Sequence, residues 1–451
     1  MHSGIGVFLS PLHAPGQDPH LTIRRDLQLV EHLDELNYDE CWFGEHHSLA
    51  WPTIGAPETI IAAAAERTRQ IKLANGVVPL PFHHPYNVAT RALMLDHLTR
   101  GRYILGVGPG ATPNDSHQFG VAQDDLKRMA SEAIPVVREL VNGEERVSAK
   151  TDWFVLQDAK MQLPRYSKPG IEMAISSIGT PNSPRVAGQF GLSLVSWGAP
   201  PPGLPAVDLA QQWRYAEESA EEHGNTMDRA KWRVVVPLYI AETREQAYQD
   251  VRQGFSEWLW GYWGKAAGFD VAASMEGVKS SQELEAGVEQ GLAIVGSPED
   301  AVAAIERLQE QTGGFGTFLV YAMNWASFEK TKRSYALLAE QVAPRFSGST
   351  ARGDESIQWS IDNQHPPHLP PHRGPSRPGG TRDPAGLTAR ARPPPPRPTA
   401  TPDGRCRSAA SYRPGAARPV VRPLAAGPFV CAVLTAPGGP PMVALPTGRR
   451  T

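Results

Sequence analysis

Glu45-His46-His47 follows the apolar run that ends in Trp42-Phe43-Gly44. Imidazole gains and loses a proton near neutral pH, so this triplet is a candidate for proton transfer. Other chemically able residues stand where apolar runs end: Pro81-Phe82-His83-His84-Pro85, Gly106-Val107-Gly108-Pro109-Gly110, Ser176-Ser177-Ile178-Gly179-Thr180 and Ser196-Trp197-Gly198. Ser177, Thr180 and nearby backbone N–H groups open a helix, which suits a phosphate. The glycines around Gly108 let a flat ligand approach the backbone. Trp197 offers an aromatic wall. A phosphate cradle, a flat platform and a histidine together match a flavin mononucleotide (FMN) site.

Each group alone has a plainer role. A histidine pair at a strand end also suits a structural hydrogen bond. Ser177 and Thr180 suit a helix cap. Gly106, Gly108 and Gly110 suit a tight turn, and Trp42, Trp197 and Cys41 suit a packed core. The two histidine pairs raise the question of a metal, but no acidic residue completes a spacing such as H-E-x-x-H, and no metal is expected. The joint placement at successive strand ends favours one site.

The elements that must position these residues alternate. Strands are expected at Gly4–Leu9, Tyr38–Phe43, Ile71–Val78, Tyr103–Val107, Ile171–Ser176, Leu192–Trp197, Trp232–Ile240 and Thr317–Met323, each followed by a run with helical spacing. Eight such units predict an α/β fold, a (β/α)8 TIM barrel with its chemistry on the C-terminal face. A doubly wound open sheet would want a glycine-rich loop after the first strand, where Ser10-Pro11-Leu12-His13 stands. Residues 144–167 read as an inserted hairpin. Residues 261–296, rich in Gly, Ser and Glu, read equally as an active-site lid or a surface loop.

Of 451 residues, 41% are hydrophobic, enough for a large core. From Gly348 onward the chain has 14 arginines, no lysine and five acidic residues. The body is therefore acidic, which argues against a nucleic-acid partner. Residues 1–346 are expected to form the barrel and 347–451 a disordered Pro/Arg-rich tail. The tail suits a proline-motif ligand or a shifted reading frame in GC-rich DNA. Three cysteines without metal or disulfide spacing suit a reducing compartment. With neither a signal segment nor a run of roughly 20 apolar residues, a cytoplasmic protein without a membrane partner is expected.

Trp42–His47, Val77–Pro85, Leu95-Asp96-His97-Leu98-Thr99-Arg100-Gly101-Arg102, Asp208–Asp228 and Val295-Gly296-Ser297-Pro298-Glu299 occur in one order. Together they resemble the luciferase-like flavin monooxygenases over about Gly4–Arg345, and Phe8–His13 resembles the limonene-monooxygenase-like branch. The resemblance implies reduced FMN supplied by a partner flavin reductase, with FAD or F420 as alternatives. It implies O2 activation through a C4a-peroxyflavin, a small apolar terpene-, aldehyde- or ketone-like substrate, and a homodimer. By position, His46 matches the histidine that assists the oxygen chemistry. Arg128, Ser177 and Thr180 match phosphate contacts, with Ser176 standing where luciferase has a glutamate. Gly76-Val77 matches the third-strand end that packs on the flavin ring, where the family can carry a non-proline cis peptide. Trp197 matches an aromatic beside the flavin. Gly108 and Pro109 replace a reactive cysteine and an arginine, which argues against light emission. Phe82, Trp258, Trp260, Trp263 and Phe269 are candidates for the substrate pocket. F420-dependent hydride transfer and a non-catalytic partner subunit are the rival readings.

Overall fold

The computed structural model describes residues 3–363. Eight parallel strands close into a barrel: Gly4–Leu12, Glu40–Phe43, Lys72–Asn75, Tyr103–Gly108, Glu172–Ser177, Ser193–Trp197, Arg233–Ile240 and Thr317–Met323. The eighth pairs with the first, and the seventh with both the sixth and the eighth, so no barrel strand is left as an edge. The (β/α)8 expectation and all eight strand positions hold, within a few residues at the ends.

Strands covered on both faces read as continuous apolar runs, and Arg233–Ile240 is buried along its whole length. Alternate side chains divide between two cores. Phe8, Trp42, Ala74, Val235 and Leu319 fill the barrel, while Val7, Cys41, Leu73, Val234 and Val320 pack under the helices. At the N-terminal end of the barrel, buried Arg233 bonds Glu40 at 2.7 Å and Glu172 at 2.5 Å. Its guanidinium holds the Glu172 carboxyl below its ordinary range against the opposing effect of burial.

Residues 147–150 and 155–159 form the expected antiparallel hairpin. The segment after the seventh strand is a folded cap rather than an irregular loop. Helix Arg244–Ser256 runs into a π-helix, Glu257–Ala266, followed by helices Val271–Ser274 and Glu283–Glu289. The cap touches three loops at the C-terminal face. Space for a Cβ at Gly261 is taken by Trp51 and at Gly254 by the Trp325 backbone, and a Cβ at Gly203 would lie 3.4 Å from the Asp270 carbonyl oxygen. Helix Ala351–Asp362 lies within the segment whose composition suggested disorder, and all its residues are exposed. Residues 364–451, to which the remaining expectations for the tail apply, lie outside the described residues. Among the described residues no helix is long and apolar enough to cross a membrane.

Candidate active site

The C-terminal strand ends bring most of the expected residues into one patch. The Gly76–Val77 peptide is cis. A Cβ on Gly76 would lie 2.8 Å from Phe8 Cζ, and one on Gly108 would lie 2.8 Å from Val77 Cγ2 and 3.7 Å from Ser176 Oγ. Phe8 meets Trp197 edge-on at 5.5 Å, and Trp197 meets Tyr321 at 4.7 Å. A row of contacts thus runs from Trp197 through buried Phe8 to Gly76, and from Val77 through buried Gly108 to Ser176. Gly76, Val77, Ser176 and Trp197 are each only partly buried, as a ligand wall must be. A Cβ on Gly106 would collide with the Asn75 carbonyl oxygen, so glycine is needed there for the third and fourth strands to approach.

Beyond Ser176 the chain turns through Gly179, at φ 109°, into helix Asn182–Phe190. No side chain caps this helix, so its first N–H groups are free of side-chain acceptors. Thr180 is exposed beside them. Ser177 differs from expectation: it is buried, and its hydroxyl donates to Gln212 Oε1. Gln212 Nε2 donates to the Thr180 carbonyl at 3.4 Å. Ser177 and Gln212 therefore fix the loop, while Ser176 and Thr180 present hydroxyls at its surface. Arg128 is not joined to this loop by a hydrogen bond. Its guanidinium, 42% exposed, bonds Asp125, Glu132 and Asp152 at 2.9–3.0 Å.

His46 lies on the loop that follows the second strand. Its Nδ1 lies 3.4 Å from Asp115 Oδ2 and 3.3 Å from Thr112 Oγ1. Asp115 Oδ1 accepts from the Ser48 hydroxyl and, at 3.2 Å, from the His47 N–H. Burial alone would raise the Asp115 carboxyl, but hydrogen bonds from His46, Ser48 and His47 hold it below its ordinary value. An ionised Asp115 favours the proton on His46 Nδ1 and leaves Nε2 free to accept one. His47 is engaged elsewhere: its Nε2 lies 3.0 Å from Glu45 Oε1, which His83 Nε2 also approaches at 2.6 Å. Glu45 Oε2 has no partner, and its side chain is wholly covered. Glu45, His47 and His83 therefore form a wall under the loop, with His47 packed edge-on against Phe119 at 4.8 Å. Among the described residues no group of three or more His, Cys, Asp or Glu is placed to hold a metal ion.

The cap closes the other side. Tyr262 meets Trp51 at 6.0 Å, and burial with the nearby Asp115 charge pushes its phenol up to about 12, so it stays protonated at neutral pH. Trp258, Trp263 and Phe269 belong to the cap's aromatic cluster. Trp260 does not: it faces outward, 39% exposed, and bonds Glu283. Phe82 stacks on Phe119 at 4.6 Å beside the histidines. Two surface clefts, lined in part by Leu140, Lys160 and Arg165 and by Arg138, Ile171 and Lys231, contain none of the predicted site residues. Asp115 and Gln212, the two fixing residues, were not anticipated. Asp115 is the acidic residue in the first turn of helix Pro113–Gln118 after the fourth strand, a position that offers a sequence signal.

The luciferase-like monooxygenase family model matches residues 4–314. The chain is 46% identical over 355 residues to 4-hydroxyprotoasukamycin monooxygenase of Streptomyces nodosus subsp. asukaensis, covering 78% of this chain and 95% of that protein. It is 44% identical over 348 residues to limonene 1,2-monooxygenase of Rhodococcus erythropolis, covering 76% and 86%. Among solved structures, the oxygenating constituent of 3,6-diketocamphane monooxygenase from Pseudomonas putida, in complex with FMN, superposes with a TM-score of 0.66 at 27% identity, covering 77% of this chain and 99% of that one. With its closed barrel, its strand-end site and these likenesses, the chain belongs to the luciferase-like monooxygenase family and is a monooxygenase.

Proposed function

We propose that the chain uses reduced FMN and O2 to oxygenate a small, largely apolar organic molecule. The observation that carries this reading is the set of partly exposed residues gathered at the C-terminal strand ends, Gly76, Val77, Ser176 and Trp197, on the same face as the second-strand loop that carries His46. The residues fit the cofactor. Gly76 and Val77, partly exposed at the end of the third strand, offer backbone for a flat ring, with buried Gly108 packed behind Val77. Trp197 forms its side wall. Ser176, Thr180 and the uncapped helix offer neutral donors for a phosphate. An approaching phosphate would have to compete with three carboxylates for Arg128. The diketocamphane relative in complex with FMN supports the same reading.

Reduced flavin supplies the oxygen activation. The chain's own residues position, shield and move protons. Asp115 holds the Nδ1 proton of His46, and His46 Nε2 takes or returns a proton at the reacting centre, the task of a general acid–base. Trp51 and Tyr262 join the second-strand loop to the cap and keep water from the site. A separate flavin reductase fits the first-strand end, where Ser10-Pro11-Leu12-His13 offers no glycine-rich dinucleotide loop. The homodimer common in the family belongs to this proposal and is read by analytical ultracentrifugation.

Oxygen uptake with photoreduced FMN, in the presence of a panel of terpenes, long-chain aldehydes and cyclic ketones, tests the function. Product-linked uptake with at least one class is expected. Turnover only with reduced F420, without oxygen consumption, would replace this reading by hydride transfer.

A further inference from the structure

His13 and Asp26 are 6% and 4% exposed, and no step of the proposed reaction uses them. A buried carboxylate ordinarily has a partner. Asp26, in helix Pro19–Glu35, has His13, whose Nε2 lies 3.1 Å from both carboxylate oxygens. Burial raises the Asp26 carboxyl above its ordinary value, and the hydrogen bond from His13 opposes this. On the other side of the ring, His13 Nδ1 lies 2.9 Å from Asn324 Nδ2, which also lies 3.4 Å from the Leu12 carbonyl oxygen.

The Leu12 carbonyl fixes the direction of these bonds. A carbonyl oxygen only accepts, so the Asn324 group that faces it is the NH2. The same NH2 donates to His13 Nδ1, which therefore carries no proton. The ring is neutral, its one proton sits on Nε2, and Nε2 donates it to Asp26. A directed run of hydrogen bonds thus leads from exposed Asn324, just past the eighth strand, through His13 to the buried face of the first helix.

Three loops of the C-terminal face meet at this run. The His13 backbone N–H donates to the Trp51 carbonyl at 3.0 Å, and Leu12 bridges Pro52. Trp51 belongs to the loop after the second strand, which the His46 N–H closes by donating to the Ile54 carbonyl at 3.1 Å. Trp51 in turn meets the cap at Gly261 and Tyr262. Asn324 precedes Trp325, which packs on Phe255 and Trp258 of the cap. His13 therefore stands where the His46 loop, the eighth-strand loop and the first helix are joined.

We propose that His13, oriented by Asp26 and Asn324, is a positioning residue that fixes the loop carrying His46 and Trp51 and, through Trp51, holds the cap closed. The consequence for the reaction rests on the roles given above to His46 and the cap. The junction itself is tested without flavin.

Hydrogen exchange of the flavin-free full chain, read by mass spectrometry, compares residues 46–54 with strand 233–240 as the control. Asp26→Leu leaves the His13 Nε2 proton without an acceptor. Exchange in residues 46–54 is expected to rise roughly tenfold, the change one unpaired buried donor produces, with the control unchanged. Asn324→Leu, at an exposed position, removes the donor at the other end and should act in the same direction. Asp26→Asn combined with Asn324→Asp reverses every donor and acceptor along the run: the new amide donates to Nε2, and the new carboxylate accepts from Nδ1. Exchange in this pair is expected to return to within about threefold of wild type, a recovery that a role in packing alone does not produce. With photoreduced FMN and O2, product formed per O2 consumed should fall at least about threefold in the single variants and recover in the pair, at unchanged FMN affinity. Unchanged exchange in both single variants, a pair no better than Asp26→Leu, or unchanged product per O2 in a loosened loop overturns the proposal. If Asp26→Leu fails to fold, Asn324→Leu and the pair decide by the same criteria, with the pair compared with Asn324→Leu. A wild-type protein that forms no product with reduced FMN and O2, while the exchange pattern holds, would refute the proposed function and leave the junction standing.

Discussion

Replacing Asp115 by asparagine should reverse the proton on His46 while sparing the fold. The two carboxylate oxygens have separate tasks. Oδ1 accepts from Ser48 and from the His47 N–H, and Oδ2 faces His46 Nδ1 at 3.4 Å. An asparagine carbonyl keeps both donors if it takes the Oδ1 position. Its NH2 then falls where Oδ2 stood and presents a donor to His46 Nδ1. Nδ1 must become an acceptor, and the ring proton moves to Nε2, the atom assigned to take protons. Loss of a positioned acid–base group costs about 10²- to 10⁴-fold in rate. The lost charge weakens hydrogen bonds that are each worth roughly 1.5–3 kcal/mol when one partner is ionised, and Ser48 and His47 retain their acceptor, so about 1–2 kcal/mol of stability should be lost. FMN contacts none of these atoms in the proposed arrangement, so its affinity should change less than about threefold, under 1 kcal/mol. The assay compares product formation, FMN titration and urea unfolding for the two proteins. Product formation within threefold of wild type, at unchanged FMN affinity, would refute the role given to Asp115 and His46.

Gly108→Ala places a Cβ 2.8 Å from Val77 Cγ2, so Val77 must shift; FMN affinity should fall at least about tenfold and the melting temperature should fall with it; fluorescence titration reads the affinity. Gln212→Leu leaves the buried Ser177 hydroxyl only the long 3.5 Å contact to the Thr180 carbonyl and should cost about 1–3 kcal/mol in urea unfolding, with weaker FMN binding through a looser Thr180 loop. Arg233→Met leaves the buried Glu40 carboxylate without its cation, while the partly exposed Glu172 keeps Ser193, and should cost about 3–5 kcal/mol by the same measurement, far from the flavin patch. Asp115 is held below its ordinary value of 3.8, so its contribution to stability should be full above that pH and disappear as pH falls through the lowered value. Wild type and Asp115→Asn should therefore differ in unfolding free energy at neutral pH and converge in acid; a difference that persists in acid would contradict the assignment.

The barrel was legible because its signals are local. Strands such as Arg233–Ile240 are continuous apolar runs, and each helix carries its own periodicity. Strand ends then pointed to His46, Gly108, Ser176 and Trp197 as candidates, and the family resemblance to the Gly76–Val77 peptide. What the sequence hid depends on contacts between distant residues. Asp115 meets His46 across 69 positions, and Gln212 meets Ser177 across 35. Ser177 looked like a phosphate ligand because its type and place were right, and only the packing of helix Leu209–Glu222 shows that its hydroxyl turns inward. The cap was ambiguous for another reason. Its glycine- and serine-rich composition weakens helical periodicity, while its stability comes from aromatic contacts such as Trp263 with Phe269 at 4.9 Å. Arg233 is a buried charge at the start of the seventh strand, and its sequence neighbours show no partner for it. The two carboxylates that accommodate it lie 193 and 61 residues away.

The central claim is that one oxygen atom of O2 reaches the substrate at a flavin held beside His46. Mass spectrometry of product formed under ¹⁸O2 with photoreduced FMN tests it most directly, for wild type and His46→Ala in parallel. The account predicts one labelled oxygen in the wild-type product, and loss of that product in His46→Ala with FMN affinity retained. Unlabelled product, or labelled product formed at the wild-type rate by His46→Ala, would contradict it.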